Sequence, residues 1–238
     1  MVRAEVPDVS ARAAFEIAVT KEAGPGERPA VLARLRDEIR RLERRPARRE
    51  GHLACGRPEV DGALPGGGFR RGGFTELSGG LASGKTAIAL ALLAALPEGE
   101  LSAWVDGRGD LYPPAATALG VNLRRLLVVR PALGKAARGR IDEGSAMAGI
   151  WAGEALLASG AFAAVVLDVP LERLPRGADT IARRLQAAVE KGGAIGLWLE
   201  ARRPGARPAL RLPGAVRLEL EPGGRVSGPG AGRGRASA

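Results

Sequence analysis

An uninterrupted phosphate-loop pattern, Gly-x-x-x-x-Gly-Lys-Thr, occupies residues 79–86 of this 238-residue chain. In such a loop, backbone N–H groups at the start of a helix surround the α- and β-phosphates of a nucleotide. The lysine reaches the β- and γ-phosphates, and the hydroxyl that follows it ligates Mg²⁺. The pattern therefore predicts that ATP and Mg²⁺ are bound here by Gly79, Gly80, Leu81, Ala82, Ser83, Gly84, Lys85 and Thr86.

The residues on either side of the loop favour this interpretation. Residues 74–77 are typical of a short strand, and residues 86–96 contain strong helix formers with no breaker before Pro97. Strand, glycine-rich turn and helix is the arrangement that the motif requires. The alternative is a glycine-rich turn that binds no nucleotide, although a turn needs neither Lys85 nor Thr86.

Beyond the loop, apolar runs alternate with helical segments. The predicted strands are 101–106, 126–130, 163–168, 194–200 and 216–220, and the predicted helices are 113–119, 145–159 and 178–190. Apolar strands that alternate with helices indicate a parallel sheet covered on both faces. We therefore predict an α/β fold with a mostly parallel central sheet over residues 51–222.

The segments on either side of this core differ from it in composition. Residues 1–28 predict a flexible lead, and residues 223–238 a disordered basic tail rich in Gly, Pro, Ser and Arg. Residues 29–50 predict a basic amphipathic helix, with an apolar stripe formed by Leu32, Leu35, Ile39 and Leu42. That helix either docks on its own core with a solvated outer face, or it binds a partner or phosphates.

Composition limits the function classes. The net charge of +10 makes nucleic acid a candidate partner, although the predominance of Arg over Lys also fits a GC-rich genome. The single cysteine, Cys55, excludes an internal disulfide, and with His52 as the only histidine no zinc site is expected. The sequence shows neither a membrane span nor a signal peptide, so we expect a cytoplasmic protein with no membrane partner.

Asp168 is the second candidate for the metal, because it follows the apolar run 164–167. Phosphate-loop ATPases place an acid after such a strand to help hold Mg²⁺. Hydrolysis also needs a group, often a carboxylate, that orients and deprotonates the attacking water. Metal-ligand roles are therefore predicted for Thr86 and Asp168, and Asp168 is also assigned to the catalytic set.

Four segments, 62–77, 101–127, 154–168 and 209–220, resemble RecA recombinases, so the resemblance covers most of 51–220. It implies a RecA-like ATPase core. In a gapless match, however, the RecA catalytic glutamate falls on Arg108, which cannot act as a general base. Glu200 falls near the nucleotide-sensing glutamine of that family, and we predict Glu200 as the catalytic carboxylate, with Asp106 and Asp110 as alternatives. Whether ATP is hydrolysed stays open, because Arg108 could equally be a surface residue of a protein that binds ATP without turnover.

The two segments that correspond to the DNA-binding loops of RecA are short. They lie after Asp168 and after Glu200 and contain Arg173, Arg176, Arg202, Arg203 and Arg207. These arginines either contact phosphates or are solvated. Since the loops are curtailed, and no counterpart of the RecA C-terminal domain is found, strand exchange is not expected.

The truncated core, the basic helix and the turn at residues 64–68 together resemble the ImuA family of RecA-like accessory proteins. That resemblance implies a role in SOS-linked, error-prone translesion synthesis and DNA repair beside an ImuB-like polymerase-family partner. RecA, DNA and a second copy of the chain are further candidate partners. Two alternatives remain: a nucleotide-silent scaffold or inhibitor resembling SulA, and a DNA-binding recombinase paralogue.

Overall fold

The structure, a computed structural model, describes residues 51–131, 143–170, 177–201, 212–222 and 225–230. The predicted flexible lead (1–28) and basic amphipathic helix (29–50) lie outside the described residues. So do the arginines of the two shortened loops.

Nine strands and five helices make up the described core. The strands are β1 (His52–Leu53), β2 (Phe69–Arg70), β3 (Gly73–Gly79), β4 (Leu101–Asp106), β5 (Leu126–Val129), β6 (Phe162–Asp168), β7 (Ile195–Ala201), β8 (Val216–Leu220) and β9 (Val226–Ser227). The helices are α1 (Pro58–Ala63), α2 (Lys85–Ala94), α3 (Pro113–Ala118), α4 (Glu143–Ser159) and α5 (Ala178–Gly192). Every predicted strand and helix between residues 74 and 220 is present, with ends shifted by a few residues at most.

Seven strands form the central sheet in the order β5-β4-β6-β7-β3-β8-β9. All neighbouring pairs from β5 to β8 are parallel, and β9 alone runs antiparallel to its neighbour β8. The predicted α/β fold with a mostly parallel sheet is thus confirmed. Because parallel strands share one carboxyl edge, the ends of β3, β4, β6 and β7 meet along that edge, where open α/β sheets bind their ligands.

Two apolar cores cover the two faces of the sheet. Side chains alternate along each strand, so Trp104 of β4 belongs to the core that contains α2, whereas Ala103 and Val105 belong to the core that contains α4 and α5. The same alternation runs along β6. The fully apolar strands seen in the sequence are explained by this burial on both sides.

Helix α5 ends where its glycines predict. Gly193 adopts a left-handed φ of 72°, and its N–H donates to the carbonyl of Val189. A side chain at Gly192 would collide with the backbone carbonyl of Leu157 in α4, so only glycine allows the two helices to approach this closely. Among the described residues, no helix is long and apolar enough to cross a membrane.

The prediction of a disordered tail from residue 223 is wrong for residues 225–230. Val226 and Ser227 pair with Leu220 and Glu219, and the N–H of Gly230 donates to the carbonyl of Ala63 in α1 at 2.9 Å. The glycines that suggested disorder serve close packing instead, since a Cβ at Gly228 would lie 2.8 Å from the Ala63 carbonyl oxygen. Residues 231–238 lie outside the described part of the chain.

Cys55 is buried beside α1, and burial raises the pKa of its thiol to about 11. Since the thiolate is the reactive form, only about one thiol in a thousand is ionised at pH 8. We expect iodoacetamide to label native Cys55 at least about tenfold more slowly than the chain unfolded in urea, with a native rate that rises as pH approaches 11. Mass spectrometry of timed samples measures both rates, and equal rates would contradict the burial of this thiol.

Candidate functional site

The phosphate loop joins β3 to α2 at the carboxyl edge of the sheet. Gly84 and Ala82 adopt positive φ angles of 87° and 55°, which turns backbone N–H groups toward a common concavity. A Cβ at Gly79 would lie 2.6 Å from both the Leu220 carbonyl oxygen and Ser83 Oγ, so glycine is required there. Gly84 precedes α2 and contributes no side-chain cap, which leaves the amides of the first helical turn to another partner.

Lys85 folds back onto its own loop. Its Nζ donates to the carbonyl oxygens of Gly79 and Gly80, both at 2.7 Å, and to Ser83 Oγ at 3.1 Å. Burial lowers the pKa of Lys85; Asp168 counteracts this effect and Arg108 adds to it. Lys85, Arg108 and Asp168 line one cavity, where phosphate oxygens could replace the loop carbonyls as partners of the ammonium group.

A cavity of about 420 Å³ opens beside the loop. Its lining consists of residues 81–87 together with Arg108, Asp110, Asp168, Leu199 and Ala201. The structure thus brings the predicted Lys85, Thr86 and Asp168 to one cavity, although Asp168 lies 82 residues after Thr86 in the chain. The cavity lies outside the strand ends, as expected for a ligand site of an open parallel sheet.

Asp168 ends β6 and is paired with Arg108, whose Nε donates to Asp168 Oδ1 at 3.1 Å. Burial raises the pKa of this carboxyl to about 6, against the opposing effect of the Arg108 charge; Asp106 and Asp110 raise it further. The sequence placed Arg108 at the position of the RecA catalytic glutamate, with a surface loop residue as the alternative. It is instead a half-buried partner of the predicted metal ligand.

Asp106 lies beside Asp168, because the β4–β6 register pairs the two residues. Its carboxylate accepts hydrogen bonds from Arg130 Nε at 2.9 Å and from the backbone N–H of Asp110 at 3.0 Å. The side chain is completely buried. Asp106 therefore holds the loop that carries Arg108 and Asp110. Asp106 and Asp110 were the two alternative catalytic acids, and of this pair Asp110 lines the cavity whereas Asp106 does not.

Glu200, predicted as the catalytic carboxylate, accepts a hydrogen bond from Ser78 Oγ of β3 at 3.0 Å. Its neighbours Leu199 and Ala201 line the cavity, and Glu200 is absent from that lining. Strand alternation explains the difference, since a strand directs successive side chains to opposite faces. Glu200 thus lies beside Ser78, which precedes the loop, but outside the cavity lining, and its catalytic role stays a prediction.

The residues present suit the phosphates and the metal that the sequence predicts. The glycine at position 79 cannot be replaced without a clash, and the helix start offers amides and a lysine to an anion. Thr86 and Asp168 offer oxygen atoms, the donors that Mg²⁺ prefers. Among the described residues, no cluster of three or more His, Cys, Asp or Glu forms a separate metal site.

Sequence reasoning missed the ion pairs of this site. The gapless match placed Arg108 at the position of a catalytic base but gave no partner for it. The partner, Asp168, is 60 residues away and is brought near only by the β4–β6 register. The position of Arg130 at the end of an apolar strand was a weak indication that it lies near the site. Nothing in the sequence indicated Asp106 as its hydrogen-bond acceptor.

The fold and the loop define an α/β protein of the phosphate-loop class. Residues 36–171, more than half of the chain, match the RecA N-terminal domain. The chain belongs to this family.

Similar curated proteins include Protein RecA of Streptococcus gordonii and of Streptococcus uberis, each 29% identical over an alignment of 223 residues, with 81% of this chain covered. Protein RecA of Streptococcus pyogenes serotype M49 shows the same identity and coverage. This chain spans about half the length of these relatives, since the alignments cover 55–56% of them.

Proposed function

We propose that this chain binds ATP with Mg²⁺ in the cavity beside the phosphate loop and hydrolyses it weakly. The convergence of Lys85, Thr86 and Asp168 on one cavity is the observation that carries this proposal. Lys85 and the amides of α2 would bind the phosphates, and Thr86 and Asp168 would hold the metal. The metal, when bound, would neutralise charge on the β- and γ-phosphates.

For turnover, a carboxylate has to orient and deprotonate water. Asp110 lines the cavity, whereas Glu200 is bonded to Ser78. We therefore propose Asp110 as the group that orients water, with the earlier prediction, Glu200, as the alternative. In the gapless match with RecA, Arg108 takes the position of the catalytic glutamate. Because an arginine cannot act as a general base, we expect turnover to be slow.

At the level of the cell, we propose an accessory role in SOS-linked translesion synthesis and DNA repair. Membership of the RecA family supports a function in repair or recombination. The ImuA resemblance supports the narrower role, with an ImuB-like polymerase-family protein as partner and with RecA, DNA and self-association as further interactions. Genes for a polymerase pair beside the gene of this chain would support the assignment.

Lys85→Ala tests the nucleotide site. The variant removes the charged donor from the loop, and hydrogen bonds to charged groups contribute about 1.5–3 kcal/mol. We expect ATP affinity to fall roughly 10- to 100-fold in calorimetric titration with Mg²⁺ present. Lys191→Ala, at an exposed position in the last turn of α5, is the matched control and should bind like wild type.

Wild-type affinity in Lys85→Ala would overturn the site assignment. Phosphate release measured on the same preparations then decides between an ATPase and a nucleotide-binding switch. Turnover above the Lys85→Ala background supports hydrolysis. Loss of that turnover in Asp110→Asn but not in Glu200→Gln would assign the water-orienting role to Asp110. Equal background rates in wild type and Lys85→Ala would leave binding without hydrolysis.

A further inference from the structure

A guanidinium group already occupies the neighbourhood of the predicted metal ligand. Arg108 Nε donates to Asp168 Oδ1 at 3.1 Å, and the Arg108 side chain is 23% exposed and lines the cavity. It lies close enough to Lys85 to act on the pKa of that residue. Arg108 therefore shares one cavity with the lysine of the loop and is bonded to the acid at the end of β6.

The charges of the cavity follow from this placement. Among the described residues of the lining, Lys85 and Arg108 are cations, and Asp110 and Asp168 are anions. With a glutamate at position 108 the same lining would have an excess of negative charge. A triphosphate carries several negative charges, and in a partly buried cavity each fixed cation contributes strongly to its binding.

Arginine suits this task because of its shape. The guanidinium is planar, stays charged at all relevant pH values and donates two parallel hydrogen bonds to phosphate. A metal that binds Asp168 would in turn have to share that carboxylate with Arg108 or displace it.

We propose that Arg108 is a resident cation of the cavity. It supplies to the bound nucleotide part of the positive charge that Mg²⁺ supplies in other nucleotide-binding sites. Nucleotide affinity then depends only weakly on the metal, and Arg108 sets that dependence. Asp168 positions the guanidinium when the metal is absent. The proposal rests on the proposed nucleotide binding at this loop.

The test compares ATP dissociation constants measured with excess Mg²⁺ and with EDTA. In wild type, removal of the metal should weaken binding less than about tenfold. In Arg108→Gln, which keeps hydrogen-bonding capacity but loses the charge, the metal-free affinity should fall on the order of tenfold further. Arg108→Lys, which restores the charge but not the two parallel donors of the guanidinium, should recover part of this loss of affinity.

Arg124→Gln is the matched control, since Arg124 is exposed and does not line the cavity; its metal dependence should equal that of wild type. Thermal unfolding verifies that each variant is folded. If Arg108→Gln and wild type show the same ratio of the two constants, the role of Arg108 is refuted while nucleotide binding stands. If wild type binds no ATP even with Mg²⁺, the proposed function falls, and this inference falls with it.

Discussion

Trp104→Ala is expected to destabilise the protein by about 3–5 kcal/mol. Trp104 is fully buried in the core that packs α2 against the sheet, and it lies in β4, two residues before Asp106. Its removal leaves a cavity under the helix that follows the phosphate loop. Urea unfolding monitored by far-UV circular dichroism measures the loss as a change in the free energy of unfolding.

Two further variants serve as controls for the effect of Trp104→Ala on stability. Trp104→Phe retains an aromatic ring and deletes an indole N–H that has no hydrogen-bond acceptor in the described part of the chain, so it should cost about 1.5 kcal/mol or less. Trp151→Ala truncates a tryptophan that is 67% exposed on α4, and its effect should stay within about 0.5 kcal/mol. A loss below about 1 kcal/mol in Trp104→Ala would contradict the packing of this face.

Arg217→Ala is expected to cost about 3 kcal/mol, because it leaves a buried carboxylate without its countercharge. Glu76, in β3, is 4% exposed. It accepts a hydrogen bond from Arg217 Nε of β8 at 2.7 Å, a second bond from Arg217 Nη2, and one from the backbone N–H of Leu212. After the substitution, the backbone N–H is the remaining bond shown for the Glu76 carboxylate.

The double variant Glu76→Met with Arg217→Met separates the charge effect from lost packing. Replacing both members of a buried ion pair by apolar side chains is often close to neutral. We therefore expect the double variant to regain most of the stability lost in Arg217→Ala, as measured by the midpoint and slope of urea unfolding. A double variant as unstable as Arg217→Ala would show that packing, and not an uncompensated charge, dominates at this position.

The sheet was predictable because its signals are local. Runs such as 163–167 are apolar at every position, as strands buried on both faces must be, and glycines mark the ends of the helices between them. The loop and Asp168 could be placed on one edge for the same reason, since parallel strands share their carboxyl ends. The sequence also showed Arg108 as a departure from the RecA pattern.

Contacts between distant residues could not be predicted in the same way. The pairing of Arg108 with Asp168 and that of Glu76 with Arg217 depend on strand order and register, which a single sequence does not specify. The strand Val226–Ser227 was missed because a two-residue strand in a glycine-rich segment carries almost no β signal. Glu200 was expected near the phosphates, but placing it there required the side of β7 to which it points, and that depends on register within one residue.

The contacts of Asp106 link the outer edge of the sheet to the cavity. Arg130 directly follows the edge strand β5 and binds one oxygen of Asp106, while the other oxygen accepts the N–H of Asp110. These hydrogen bonds, together with one from Arg130 Nη2 to the carbonyl of Leu111 at 3.3 Å, connect the sheet edge with the turn that presents Arg108 and Asp110. A contact that displaces Arg130 would therefore change the position of a cation and an anion of the cavity together, without touching the phosphate loop.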